Sequence, residues 1–146
     1  QIFGDIVLDI ENPREAYLGT LRINARTLAT DDSRRNGVIS RNILHSDASE
    51  NEFIEFKPRK LDGLPEEVRA GDSIAFQITG DMTVSGVTRE VVFNANLESI
   101  SKNHVTGSAE AKILYTDFGL SIPSVPFVAN VEKEVILKVR IVATRI

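Results

Sequence analysis

The chain has 146 residues, 42% hydrophobic and 26% charged, with 17 basic against 21 acidic side chains and a net charge of −4. That length suits one domain with a sizeable core, and the mild acidity argues against a protein that lives by phosphate contacts with nucleic acid. The absence of cysteine excludes disulfides, thiolate metal sites and cysteine nucleophiles, and no apolar run approaches the roughly 18–20 residues of a transmembrane helix.

Gln1 stands first, with no basic-then-apolar leader behind it; the missing Met points to a processed or trimmed chain. Residues 1–10 alternate Ile6, Leu8 and Ile10 with Asp5, Val7 and Asp9, which predicts a strand. Glu11-Asn12-Pro13-Arg14 is turn chemistry. Residues 16–28 read as a second, neighbouring strand, with Leu21, Ile23 and Ala25 on one face and Thr20, Arg22, Asn24 and Arg26 on the other. Asp31-Asp32-Ser33 carries the oxygen-bearing side chains of a helix start, and Ile39, Ile43 and Leu44 follow at helical spacing. A short helix is expected within 33–45 as a cap over one end of a sheet, with a further helical turn at 47–51. Phe53 to Leu61 returns to extended structure with Ile54 and Phe56 inward.

Asp62-Gly63-Leu64-Pro65 and Ala70-Gly71-Asp72 are breaks that lead into the most regular stretch of the chain. From Ile74 every second residue is apolar or Gly: Phe76, Ile78, Gly80, Met82, Val84. Ser85-Gly86-Val87-Thr88 interrupts the pattern, which resumes at Val91, Phe93, Ala95 and Leu97. This predicts a long β-hairpin turning near Gly86, whose apolar face needs other strands to cover it. Residues 104–114 form a further strand, with Val105, Gly107, Ala109, Ala111 and Ile113 inward. Residues 115–131, with Pro123 and Pro126, read as irregular. Glu134 to Thr144 closes the chain as a strand, alternating Val135, Leu137, Val139, Ile141 and Ala143 with Ile136, Lys138, Arg140 and Val142. Seven mostly sequential strands with one or two short helices give an all-β antiparallel barrel, since closure removes exposed edges.

No catalytic set emerges. His45 and His104 lie far apart, without a partner at metal-ligand spacing. Asp47, Glu50 and Glu52 form an acidic loop, and Arg34, Arg35 and Arg41 a basic helix face; each reads first as a solvated surface. Nucleophile elbow, P-loop, zinc-protease and dinucleotide motifs are missing. What stands out is the small inner row Gly107, Ala109 and Ala111. It either makes room for bulky neighbours such as Phe76 and Phe93 or leaves a cavity, because barrels of this size are either filled or hollow.

The stretch Phe76–Phe93 resembles the Gly-Asp-Leu-Thr-(Ile/Val)-x-Gly-Val-Thr-(Lys/Arg)-x-Val motif of the YceI-like family, bacterial lipocalin-like proteins that bind polyisoprenoids. Ile2–Asp9 with Glu11-Asn12-Pro13, Leu28–Leu44, Ser46–Phe56, Tyr115–Leu120 and Val131–Ala143 are similar to the family's other elements in the same order. The chain departs from the pattern in two places. Asn51-Glu52-Phe53-Ile54-Glu55-Phe56 stands where a Tyr-Pro usually precedes the strand, and the family's opening one or two strands are missing. The resemblance implies a single lipocalin-like barrel domain over 1–146, shortened at its N-terminus: either the chain is clipped, or another copy supplies the missing pairing, or the barrel is open. It implies a non-catalytic carrier or store that holds a polyisoprenoid, isoprenoid quinone or fatty-acid derivative in an apolar tunnel through the barrel, in the periplasm or secreted, with no cofactor beyond that isoprenoid or acyl chain. The expected ligand wall is Phe76, Ile78, Met82, Val84, Val91, Phe93, Ala109, Ala111, Ile113, Leu137 and Val139. The rival is a filled barrel acting as an interaction module, with its open edge pairing with a partner or a second copy as a homodimer.

Overall fold

A computed structural model of the chain describes residues 2–7, 12–101, 104–123 and 132–144. Expectations placed on Leu8 to Ile10, the bend at Lys102-Asn103, and Pro126 fall outside the described residues. The strands are β1 (Ile2–Phe3), β2 (Ile6–Val7), β3 (Tyr17–Leu18), β4 (Leu21–Asn24), β5 (Phe53–Asp62), β6 (Ile74–Val84), β7 (Val87–Ile100), β8 (His104–Leu114) and β9 (Glu134–Thr144). One antiparallel sheet runs β1-β4-β5-β6-β7-β8-β9 and curls into a half-barrel, while β2 and β3 pair by themselves.

The β6–β7 hairpin is the backbone of this sheet. Its ladder runs unbroken from Ile74↔Leu97 to Val84↔Val87, so the turn is the two residues Ser85 and Gly86 alone. Both have positive φ, 47° and 79°, as a type I′ turn requires, and its twist matches that of the flanking strands. The turn expected near Gly86 is thus found there, and Val87 and Thr88, where the alternation is interrupted in the sequence, already belong to the strand. The β8–β9 ladder is equally regular, from His104↔Thr144 to Leu114↔Glu134.

Two irregularities bend the sheet. The β5–β6 register shifts between Pro58 and Lys60, and Pro58 pairs with Gly80. A Cβ on Gly80 would stand 2.5 Å from the Lys57 carbonyl oxygen and 2.7 Å from the Phe56 ring. The missing side chain lets that ring close edge-on against Phe93, with centroids 5.0 Å apart at 70°. The β7–β8 register shifts between Leu97 and Ser99, and Leu97 pairs with Gly107, where a Cβ would collide with the Asn96 carbonyl oxygen. Gly107 is therefore small because of backbone approach at a bulge, not because it opens a cavity.

The two N-terminal strands are each broken. They leave the main sheet together at Gly4 and Gly19, where the Gly19 N–H donates to the Asp5 carbonyl at 2.7 Å. The expected pairing survives on both sides of the corner, as Ile2↔Ile23 and Ile6↔Leu18. Ala25 is buried as expected, but within a 3-10 turn, Ala25–Thr27, rather than in a strand. Among the described residues no ladder joins β1 to β9, so the expected barrel is a half-barrel with an open seam between those edges.

Gly80→Ala should destabilise the fold by about 1–3 kcal/mol by overpacking Phe56, read as a lower urea midpoint with an unchanged slope.

Candidate functional site

Inward side chains of β5 to β9 form one apolar surface, and all eleven expected wall residues lie on it. Their accessibility divides them. Ile78, Met82, Val84, Val91, Phe93, Ala109 and Ala111 are buried, between 2% and 6% exposed. They pack on one another and on Phe56 and Ala95, so the centre of the half-barrel is a filled core. Phe76, Ile113, Leu137 and Val139 are half-buried, as are Ile141 on β9, Leu21 on β4 and Ile54 on β5. Toward the two edges of the sheet the apolar face is thus partly accessible, a shallow trough bordered by Leu137, Val139 and Ile141 on β9 and by Leu21 and Ile54 on β4 and β5.

Each end of the half-barrel is plugged. At the hairpin-tip end, helix α1 (Ser33–Val38) continues into a π-helical turn, Ile39–Ile43. Asp32 caps α1, its carboxylate accepting from the Arg34 and Arg35 N–H groups at 2.8 and 3.4 Å. The apolar side of this segment drops Ile39, Ile43 and Leu44 onto the core, which is the cap expected from the sequence. It is latched by Ser85 at the hairpin tip, whose hydroxyl donates to the Leu44 carbonyl at 2.7 Å. Arg26 holds the next turn, donating to the Ser46 carbonyl at 2.6 Å and the Asp47 carbonyl at 3.0 Å while pairing with Glu52 at 3.4 Å. Phe118, in the 3-10 turn Tyr115–Phe118, is buried beside them. At the far end Leu64 and Val68 cover Ile74, Leu97 and Val105, and Phe76 touches both apolar clusters.

The polar candidates are engaged in the fold or lie at its surface. Glu52 serves Arg26 and accepts from Asn24 at 3.1 Å. Arg35 pairs with Asp31 at 3.0 Å and Arg34 with Asp32 at 3.6 Å, all at the start of α1. His45 and His104 are exposed. Among the described residues no three His, Asp or Glu side chains are grouped to hold a metal ion. An open depression of about 340 Å³ lies where β5 leaves the sheet, lined by Asp62, Gly63, Ala75, Phe76, Gln77, Asn94 and Ala95; it shares only Phe76 with the expected wall.

Phe118 was hidden in a stretch that reads as irregular. Its only signal was the Asp-Phe-Gly-Leu resemblance, and the structure gives that motif a physical role: Phe118 plugs the core, and Gly119 ends the turn in a left-handed conformation, φ 68°. Ser85 and Arg26 carried no signal, because a latch to a backbone carbonyl leaves no trace in spacing.

A curled antiparallel sheet with an apolar interior, capped at its ends, defines a protein of lipocalin-like class. The YceI protein of Campylobacter jejuni superposes with a TM-score of 0.79 at 17% identity, covering 99% of this chain and 81% of that one. Burkholderia cenocepacia BcnA gives 0.78 at 17% identity, covering 99% and 84%. No curated protein sequence matches the chain. The YceI-like domain model matches residues 1–143, and the chain belongs to the YceI-like family.

Ser85→Ala should cost about 0.5–1.5 kcal/mol through the lost latch, measured by urea unfolding.

Proposed function

We propose that the protein binds and carries one long apolar chain, a polyisoprenoid, isoprenoid quinone or fatty-acid derivative, without chemistry on it. The half-buried trough carries this reading. Leu137, Val139 and Ile141 stand partly open to solvent, although they face the same core as side chains that are almost fully buried. Apolar surface left accessible in a row, next to a packed interior, is what an extended alkyl or prenyl chain would cover. Each buried CH₂ would contribute about 0.8 kcal/mol, so a long chain needs little polar recognition. Such a ligand would lie along the seam, not through the middle of the sheet, because the central side chains already fill that volume. Compartment follows the same reading: a carrier of membrane-derived chains in this family would work in the periplasm or outside the cell.

The test uses the rim. Leu137 is half-exposed, so Leu137→Glu should keep the fold by circular dichroism. It places a charge where the chain would lie, so cis-parinaric acid should bind at least about tenfold more weakly, a loss of about 1.4 kcal/mol. Mass spectrometry of an organic extract of the wild-type protein should return prenyl or acyl chains that the variant lacks. Equal binding by both proteins, or an extract without such chains, would remove the carrier reading. Ala111→Phe is the poorer probe, since Ala111 is 2% exposed and the larger side chain would overpack the core whether or not a ligand binds.

A further inference from the structure

Residues 28–44 leave the half-barrel between β4 and β5 and return close to the point they left. One side chain staples the two ends together. Arg26, in the turn before this segment, donates to the Ser46 and Asp47 carbonyls just after it, at 2.6 and 3.0 Å. The Ala25 N–H donates to the Glu52 carbonyl at 2.8 Å and ties the same place to the start of β5. Between these ends the segment is bonded mostly to itself. The Asn36 side-chain oxygen accepts from the Thr30 N–H and hydroxyl at 2.6 and 2.8 Å. Asp32 caps α1, and Arg35 pairs with Asp31. The Asn36 N–H donates to the Asp32 carbonyl at 3.0 Å and the Leu44 N–H to the Ile39 carbonyl at 2.8 Å. Among the described residues, one hydrogen bond joins 28–44 to the sheet or its hairpin turn, that of Ser85 on the Leu44 carbonyl.

Apolar attachment is light as well. Neither α1 nor the π-helical turn holds a buried residue. Ile39 and Ile43 are half-buried, and Leu44 alone in the segment is buried. A segment with strong internal and weak external bonding lies at the low-stability end of a fold and opens as a unit. His45, where the segment rejoins the body, has φ 49°, a left-handed conformation that is costly for a residue with a side chain. It is the natural hinge.

We propose that residues 28–44 form a lid, which opens as one body about the Arg26 staple and His45 when Ser85 releases the Leu44 carbonyl, and that an apolar chain enters the half-barrel through the opening. The lid rests on the bonding just described; entry through it rests on the carrier reading. Opening lifts Ile39, Ile43 and Leu44 from the hairpin-tip end of the core. The surface so uncovered is continuous with the trough, because Leu21, Ile54 and Leu137 pack against the same cluster. The staple keeps both ends in place, so the lid recloses without searching for its site.

Hydrogen–deuterium exchange tests the lid without a ligand. The Asn36, Ile39 and Leu44 N–H groups should share one protection factor, about a hundredfold below that of β6 and β7. Ser85→Ala should lower it about fivefold through the lost latch. Thr83→Ala is the control. It removes a hydrogen bond of the same hairpin, between the Thr83 and Thr88 hydroxyls at 2.8 Å, but one that the open lid keeps, so lid exchange should not change. In stopped flow, Ser85→Ala should speed cis-parinaric acid association by the same factor as its lid exchange, and Thr83→Ala should not, as a pre-existing opening requires. Lid amides as protected as those of β6 and β7, or indifferent to Ser85→Ala, overturn the lid. Faster exchange with unchanged association overturns entry through it. A protein that binds no cis-parinaric acid removes the carrier reading and the entry with it, while exchange still decides the lid.

Discussion

Everything in this fold hangs on the register of β6 against β7. Side chains alternate across a strand, so a slip of one residue would turn every inward group outward. The Ser85-Gly86 turn prevents that slip: two positive-φ residues close the hairpin with no slack, and eleven consecutive pairs follow from it. Ile78, Met82, Val84, Val91 and Phe93 are buried because of this one closure. The cap depends on it too, since Ser85 reaches Leu44 only from a tight turn. The hairpin therefore sets the interior and one of its ends together.

The long strands were legible because they obey a simple period over ten or more residues. β8 and β9 begin and end where the alternation does, and the helix start at Asp32 follows from its capping chemistry. The first two strands were less so. Their alternation is real, but Gly4 and Gly19 turn the pair through a corner, and periodicity carries no information about corners. Site residues show the same division. Which face each wall residue occupies could be read from parity. Whether it meets solvent could not, since Ala111 and Leu137 share a face and pair across β8 and β9 yet differ in exposure. That difference arises from the curl of the sheet, a property of the assembled fold.

The small row on β8 illustrates how one pattern can have several causes. Gly107 is small because the Asn96 backbone approaches it. Ala109 and Ala111 are small because they sit in a packed core beside bulky side chains. On the inward face, Leu137, Val139 and Ile141 of β9 and Leu21 and Ile54 of β4 and β5 keep partly open apolar surface toward the two edges of the sheet. Of the acids and arginines, Glu52 pairs with Arg26 beside the cap, and Arg34 and Arg35 pair with Asp32 and Asp31 at the exposed start of α1, in keeping with the surface reading.

The two bends in the sheet have a consequence for how the protein can vary. Each is made of backbone: a register shift in one strand set against a glycine in its neighbour, at Pro58 with Gly80 and at Leu97 with Gly107. Curvature is therefore written into main-chain positions that take no part in the trough. Side chains along β9 can change size without straightening the sheet, while a single methyl group at either glycine would disturb it. Shape and lining are thus inherited separately, and a lineage could retune what its half-barrel accommodates through a few aliphatic exchanges while its architecture stays fixed.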